Sequence, residues 1–153
     1  MDSRTKTYSK PFCPKALVPN ALPVVFGHNF LMEATILDFG CGKDAYWVNH
    51  YRKLGYKIHG KDLSRPDLVT SDSYDIIMLS NVINVQETEE QLNELLACVL
   101  GFKPKYLLFN YPSKPRKLEW SMKTMEGFLK EKLDGFLVMR LTNPKLNQIF
   151  LAS

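Results

Sequence analysis

The sequence of 153 residues predicts one α/β domain built on a mainly parallel sheet, and two observations support this prediction. Apolar strand patterns alternate with amphipathic helix patterns along most of the chain, which is typical of parallel strands joined by helical crossovers. The last two strand patterns, residues 136–142 and 147–152, are separated only by Asn143-Pro144-Lys145 and so predict an antiparallel hairpin. We therefore expect a parallel sheet that contains one reversed strand.

The glycine-rich stretch after the first strand is the strongest local signal. Residues 34–38 have the pattern of a buried strand, and Gly40, Gly42 and a helix pattern over residues 44–54 follow them. Both glycines can adopt positive φ and let the backbone approach a ligand, while the N–H groups that open the helix face the same crevice. We expect a nucleotide-like ligand at this turn.

An acidic residue at the end of the next strand strengthens this expectation. Residues 57–62 have the pattern of a short strand that ends on Asp62, 24 residues after Asp38. In strand–helix–strand nucleotide sites, an acid at this position accepts hydrogen bonds from ribose hydroxyls. The alternative is a solvated Asp in a loop, and we favour the ribose contact.

The remaining patterns continue the alternation of strands and helices. A weakly signalled third strand lies at residues 68–70, and stronger strands follow at residues 74–80 and 105–110. Thr88-Glu89-Glu90-Gln91 has the form of a capping box and precedes a helix pattern that Gly101 closes. Residues 118–133 carry the last helix pattern.

Residues 1–33 are set apart by four prolines, which predict short helical turns folded over the body of the domain: Pro11, Pro14, Pro19 and Pro23. The segment either wraps the core or forms a lid over the ligand crevice, with Tyr8 and Lys10 reaching inward. We therefore divide the chain into a cap or lid, residues 1–33, and a ligand-binding core, residues 34–153.

Composition and charge place few further limits on function. The chain is 45% hydrophobic and 24% charged, and no apolar run approaches the roughly 20 residues that span a bilayer. Cys13, Cys41 and Cys98 share no metal-ligand or redox spacing, so we expect reduced thiols in a soluble cytoplasmic protein. The net charge of +4 would suit a phosphate-bearing partner without requiring one.

These features together resemble the class I S-adenosylmethionine-dependent methyltransferases. The resemblance covers residues 34–153 and is carried by Asp38-x-Gly40-x-Gly42, Asp62, Tyr74-Asp75 and the terminal hairpin. It implies a Rossmann-like seven-stranded sheet in the order 3-2-1-4-5-7-6, with the last strand antiparallel and helices on both faces. It also implies that S-adenosylmethionine binds as cofactor across the carboxyl ends of strands 1, 2 and 4.

A narrower similarity connects the chain with a group of small methyltransferases from bacteria and phages. It is carried by four short stretches: Lys10-Pro11, residues 38–43, Gly60-Lys61-Asp62 and residues 80–85. The chain departs from that group at Asp44, where another glycine is frequent.

The resemblance also implies roles for individual residues. The backbone around Gly40, Cys41 and Gly42 contacts the methionine part of the cofactor, and Asp38 orients either this turn or the cofactor's amino group. Asp62 holds the ribose and Leu63 lies against the adenine. Ser80, Asn81 and Val82 face the transferable methyl group. No catalytic residue is assigned, because aligning the acceptor with the methyl group supplies much of the acceleration.

The methyl acceptor is predicted less sharply than the cofactor. The small rim left for it suits a small molecule, with nucleic acid as the alternative because Lys114, Arg116, Lys117 and Lys123 form a basic cluster. Asn110-Tyr111-Pro112-Ser113 superficially resembles the Asn-Pro-Pro-Tyr signature of amino-methylating nucleic-acid enzymes, and we favour a plain strand exit there. His28, His50 and His59 have no ligand spacing, so no metal site is expected.

Two other functions remain open at this stage. Gly40-Cys41-Gly42-Lys43-Asp44-Ala45 also fits the G-x-G-x-x-A fingerprint of NAD-binding oxidoreductases. Asp38, two residues before the first glycine, favours S-adenosylmethionine instead. A protein that binds or cleaves S-adenosylmethionine without transferring its methyl group would have the same cofactor site.

Overall fold

A computed structural model describes residues 16–42, 44–62, 71–112, 115, 117–141 and 148–153. The strands are β1 (Thr35–Phe39), β2 (Lys57–Lys61), β3 (Ile76–Leu79), β4 (Tyr106–Asn110), β5 (Val138–Arg140) and β6 (Ile149–Ala152). The helices are α1 (Leu17–Phe26), α2 (His28–Glu33), α3 (Tyr46–Lys53), α4 (Glu89–Leu100) and α5 (Met122–Lys132), with a 3-10 turn at Ile83–Val85.

The described strands form one six-stranded sheet in the order β2-β1-β3-β4-β6-β5. Pairing is parallel from β2 through β4, whereas β6 runs antiparallel to both of its neighbours. The expected parallel sheet with one reversed strand is therefore confirmed. Seven strands were expected and the described residues contain six, since the predicted strand at residues 68–70 lies outside them. The turn at Asn143-Pro144-Lys145 also lies outside.

Both faces of the sheet are covered by helices, as predicted. Alternate residues of each strand point to opposite faces, so an apolar strand contributes to two separate clusters. One cluster joins Leu37, Ile77 and Phe109 to the buried side chains of α4 and α5. The other joins Ile36 and Met78 to the buried side chains of α1, α2 and α3.

A hydrogen bond from another helix compensates for the proline inside helix α1. Pro23 lies inside the helix and has no N–H, so the carbonyl of Pro19, four residues earlier, has no intrahelical donor. The Tyr51 hydroxyl of α3 donates a hydrogen bond to that carbonyl. Val18 and Leu22 on the same helix are fully buried. The predicted short helical segments are present over residues 17–33, whereas the proposed lid residues Tyr8 and Lys10 lie outside the described part of the chain.

Side-chain caps set where α4 and α5 begin. At α4, Thr88 Oγ1 accepts a hydrogen bond from the Gln91 backbone N–H at 3.1 Å, so the predicted capping position is confirmed. Helix α5 begins at Met122, four residues later than the predicted Leu118. The correction has a local cause, because Ser121 Oγ caps the helix by accepting from the Thr124 N–H at 3.1 Å.

No helix in the described part of the chain is both long and apolar enough to cross a membrane.

Candidate cofactor site

The candidate site lies at β1, where the order in which successive strands are added to the sheet reverses. The strand after β1 in the chain, β2, lies on one side of it, and β3 lies on the other. In register, Asp38 of β1 is flanked by Gly60 of β2 and Met78 of β3. Ligands of open α/β sheets bind in the crevice that such a switch point leaves at the carboxyl ends of the strands.

The glycine turn is fixed to the end of β2 by two hydrogen bonds. The backbone N–H groups of Gly40 and Cys41 donate to the Lys61 carbonyl at 2.7 and 3.1 Å. Gly40 has φ of 91° and Gly42 has φ of 78°, so the predicted positive φ at both glycines is confirmed. The turn therefore holds its backbone in a shape that most other residues adopt only with strain.

Gly60 is a site residue whose role the pattern analysis did not identify. A Cβ atom at this position would lie 2.7 Å from Cys41 Sγ and 3.0 Å from Val48 Cγ2. Only a glycine lets β2 approach the turn and α3 this closely. A glycine inside a strand pattern is the sequence signal that marks such an approach.

Asp38 and Asp62 place two buried carboxyl groups at the ends of β1 and β2. Each residue is only 3% exposed, so Asp62 is not the solvated loop residue of the alternative interpretation. Burial, and secondarily the charge of Asp62, raises the pKa of Asp38 from 3.8 to about 7. Among the described residues, Asp38 Oδ1 is buried and has no hydrogen-bond partner.

This arrangement fits a ligand that carries positive charge and hydrogen-bond donors. An unpaired buried carboxylate oxygen is costly, and a bound cation or hydroxyl would remove that cost. The two acids and the two-glycine turn are the features that the resemblance led us to expect for S-adenosylmethionine, which has a sulfonium, an amino group and ribose hydroxyls.

The exit of β3 is held by a reciprocal pair of asparagines. Asn81 has a left-handed backbone with φ of 55°, and its N–H donates to Asn110 Oδ1 at 2.7 Å. Asn110 Nδ2 donates in return to Asn81 Oδ1 at 2.8 Å. Next to this pair, the Gln86 side chain donates to the Val82 carbonyl at 2.7 Å. Asn110 is thus part of the β3 exit, which the sequence analysis did not predict.

The structure accordingly brings the predicted site residues together in two groups. Asp38, the turn at residues 40–42, and Asp62 lie at the ends of β1 and β2. Ser80, Asn81 and Val82 follow β3, the neighbour of β1 on its other side. Leu63, predicted to lie against the adenine, is outside the described residues.

Tyr111 is part of the hydrophobic core. It is fully buried, and its hydroxyl donates to the Trp120 carbonyl at 2.8 Å. Burial raises the pKa of this hydroxyl above its ordinary value. Tyr111 therefore anchors the strand exit to the segment before α5. Ser113, the last residue of that stretch, lies outside the described residues.

Of the basic cluster and the histidines, the structure describes Lys117, Lys123 and all three histidines. Lys117 and Lys123 are exposed, while Lys114 and Arg116 lie outside the described residues. His28 Nδ1 bonds the Tyr56 hydroxyl at 3.0 Å, and His59 Nδ1 bonds the Tyr74 hydroxyl at 2.9 Å. Over the described ranges, no three His, Cys, Asp or Glu residues are grouped so that they could hold a metal ion.

Comparison with known proteins rests on structure. No protein-family model matches the chain, and no curated protein matches it. The methyltransferase domain of a bacterial Hen1 superposes with a TM-score of 0.65 at 15% identity, covering 88% of this chain and 97% of that one. The small RNA methyltransferase Hen1 gives 0.58 at 16% identity, covering 94% of this chain and 26% of that one.

A third similar structure is an enzyme for a small acceptor. The Burkholderia thailandensis 1,6-didemethyltoxoflavin N1-methyltransferase, with 1,6-didemethyltoxoflavin and S-adenosylhomocysteine bound, has a TM-score of 0.53 and 13% identity. The match covers 90% of this chain and 77% of that one. The chain therefore has the fold of the class I S-adenosylmethionine-dependent methyltransferases.

Proposed function

We propose that this protein is an S-adenosylmethionine-dependent methyltransferase. The observation that carries the proposal is the pair of buried acids, Asp38 and Asp62, beside a two-glycine turn at the switch point of the sheet. The similar folds of known S-adenosylmethionine-dependent methyltransferases support it. An NAD-binding oxidoreductase is less well supported, because a buried acid two residues before the first glycine would face a cofactor whose pyrophosphate is negatively charged.

The proposal gives each group of site residues a distinct task. Asp38 faces the cationic end of the cofactor, and the backbone of residues 40–42 contacts its methionine part. Asp62 accepts hydrogen bonds from the ribose hydroxyls, and Leu63 packs against the adenine. When bound, the cofactor supplies an electrophilic methyl group on a sulfonium, with a neutral thioether as the leaving group.

Catalysis in this proposal depends on positioning. Ser80 and Asn81 face the methyl group and line the place where the acceptor approaches. Val82 was predicted to share this role, but its side chain is fully buried in the core cluster, so in this proposal it supports the β3 exit from behind. Holding the acceptor atom in line with the methyl group converts a bimolecular encounter into a reaction within one complex. No residue is assigned as general base.

We propose a small molecule as the acceptor. In this proposal the acceptor rim is built from the β3 exit, the loop after β4 and the cap that we assign to residues 1–33. A fold shared with an enzyme for a small heterocycle is consistent with such an acceptor. The second candidate is a nucleic acid, favoured by the exposed Lys117 and Lys123 and by the fold shared with a small RNA methyltransferase.

Transfer of a labelled methyl group tests the proposal. The protein is incubated with methyl-labelled S-adenosylmethionine, alone and with cell extract separated by size, and label and S-adenosylhomocysteine are followed. We expect label in a low-mass fraction. Label in RNA or DNA would replace the small acceptor with a nucleic acid, and phosphate contacts would then make its binding fall steeply with salt.

A matched pair of variants shows whether the label depends on this site. Asp62→Asn keeps the shape of the side chain but removes its charge, whereas Asp134→Asn makes the same change at an exposed position after α5. We expect transfer to fall only with Asp62→Asn. Cofactor breakdown without any labelled acceptor would instead support a protein that cleaves S-adenosylmethionine.

A further inference from the structure

The asparagine pair at the ends of β3 and β4 is more specific than a strand exit requires. Its two hydrogen bonds, 2.7 and 2.8 Å long, join residues 29 apart in the sequence and close a ring between a backbone N–H and two side-chain amides. Asn110 uses both its carbonyl and its amide nitrogen in this ring. No aliphatic side chain can replace either bond.

Only one side of the pair is built into the core. Asn110 is 3% exposed, and its strand pairs with β3 on one side and with β6 on the other. The next residue, Tyr111, donates its backbone N–H to the Gln148 carbonyl at 3.0 Å, so the backbone on both sides of Asn110 is held by the sheet. Asn110 is therefore a fixed point.

The other side of the pair is a strained turn. Asn81 is exposed and has φ of 55°, a left-handed conformation in which asparagine is better tolerated than most residues other than glycine. The chain turns here from the end of β3 into the 3-10 turn at Ile83–Val85. The conformation of Asn81 therefore decides in which direction the residues after β3 leave the sheet.

We infer that Asn110 is a positioning residue that holds the β3 exit, through Asn81, in the orientation in which it faces the transferable methyl group. This inference rests on the proposed function and deepens it. Asn110 acts through Asn81 and does not itself need to touch the cofactor. The inference also explains why a buried asparagine, whose amide must be paired, ends a strand that is otherwise apolar.

Two ligands that differ only at the reacting centre separate positioning from general stability. S-adenosylmethionine has the methyl group and the positive charge, and S-adenosylhomocysteine lacks both. Asn110→Ala should weaken binding of S-adenosylmethionine about tenfold, within the range expected for one or two lost hydrogen bonds, and leave S-adenosylhomocysteine within about twofold. Calorimetry with both ligands measures the ratio.

Amide hydrogen exchange tests the asparagine pair itself, without any ligand. In Asn110→Ala the Asn81 N–H loses its acceptor, and we expect its exchange to accelerate at least about tenfold. Tyr111→Phe is the matched control, because it removes one buried hydrogen bond at the next residue and leaves the asparagine pair intact. We expect it to change neither the ligand ratio nor the exchange at Asn81.

A second variant keeps the test independent of folding defects. Asn81→Gly tolerates the left-handed backbone and keeps its N–H bond to Asn110, but loses the amide-to-amide bond. It should shift the ligand ratio in the same direction as Asn110→Ala and by less. Equal weakening of both ligands by Asn110→Ala, or unchanged exchange at Asn81, would overturn the positioning role. Failure of the unsubstituted protein to bind either ligand would overturn the proposed function.

Discussion

A carboxyl group at the amino end of the parallel strands and one at the carboxyl end differ in their hydrogen bonds and in the direction of their pKa shifts. At the amino end, Asp75 accepts a hydrogen bond from the Thr35 N–H at 2.9 Å and contacts Lys105 at 3.3 Å. The backbone hydrogen bond from Thr35, with the Lys105 charge, lowers the pKa of Asp75 below its ordinary value, even though burial opposes this. At the carboxyl end, Asp38 has its pKa raised and has a buried oxygen without a partner in the described residues.

This difference shows where the fold is stabilised and where it gives up stability. The amino end satisfies its polar groups internally, so its charged residue stabilises the folded chain. The carboxyl end leaves a buried acid and four residues with positive φ in one region: Gly40, Gly42, Ala45 and Asn81. Strain and unpaired polar groups concentrate at binding sites, where a ligand compensates for them.

The largest expected effect comes from removing the charge of Asp38. Its folded pKa of about 7 exceeds the usual 3.8, so the unfolded chain loses this proton at lower pH than the folded protein. Ionisation of Asp38 therefore lowers the free energy of unfolding. This loss of stability is absent below pH 3.8, grows as the pH rises and is complete above pH 7. Asp38→Asn should therefore stabilise the ligand-free protein by up to ~4 kcal/mol at pH 8, and by much less at pH 5.

Urea unfolding at pH 5 and pH 8 measures this difference. Asp134→Asn, at an exposed position, is the control and should change stability little at either pH. If Asp38→Asn destabilised the protein equally at both pH values, Asp38 would be a satisfied structural residue like Asp75, and the contrast between the two ends would be lost.

Asp75→Ala should destabilise the protein, whereas Asp38→Asn should stabilise it. Losing a carboxylate that accepts from the N–H and the hydroxyl of Thr35 is expected to cost about 2 kcal/mol at pH 7. Because the folded pKa of Asp75 is lowered, its contribution is present above the unfolded pKa and is lost as the pH falls through the folded value.

Lys105→Ala separates the two interactions of Asp75. The lysine side chain is 74% exposed, so its ion pair should contribute at most about 1 kcal/mol. Thermal unfolding of Lys105→Ala and Asp75→Ala shows whether the ion pair or the Thr35 hydrogen bonds supply the stability. A loss for Lys105→Ala as large as that for Asp75→Ala would assign the stability to the ion pair instead of the Thr35 bonds.

A change at Gly60 tests how tightly the carboxyl end is packed. Gly60→Ala would place a methyl group 2.7 Å from Cys41 Sγ, and we expect a loss of ~1–3 kcal/mol together with a displaced turn. Cys41→Ala removes the sulfur and should recover part of the loss in the double variant. If the two substitutions were additive in urea unfolding, the clash would not lie between these residues.

A small effect is also expected where α3 contacts α1. Tyr51→Phe removes the donor to the Pro19 carbonyl and should cost about 1 kcal/mol. Pro23→Ala supplies the missing backbone N–H, so the tyrosine should contribute less in that background. A double-mutant cycle measures the coupling, and a coupling energy of zero would show that the hydroxyl does not substitute for the helical donor.

Features that depend on neighbours in the sequence were predictable. Strand patterns located all six described strands to within two residues at each end, because burial on both faces demands apolar runs. Positive φ at Gly40 and Gly42 followed from the residue type. The position of Asp62 at a strand end followed from counting along the chain.

Features that depend on contacts between distant residues were not predictable in this way. The Asn81–Asn110 pair exists only because two strands lie side by side, and neither residue has a pattern of its own. The close approach at Gly60 needs α3 and the turn to be packed against β2. The start of α5 was misplaced because apolar residues before Ser121 continue the helical spacing although the cap lies later.

The most direct test of the central claim is calorimetric titration of S-adenosylmethionine and NAD at pH 6, 7 and 8, in buffers of different ionisation enthalpy. A cation bound beside Asp38 favours its ionised form, so we predict micromolar or tighter binding of S-adenosylmethionine, with protons released near pH 7 and affinity rising with pH. Asp38→Asn should abolish the proton release, and Asp62→Ala should weaken binding by ~1–3 kcal/mol. Binding of NAD alone, or S-adenosylmethionine binding that is indifferent to both substitutions, would contradict the account.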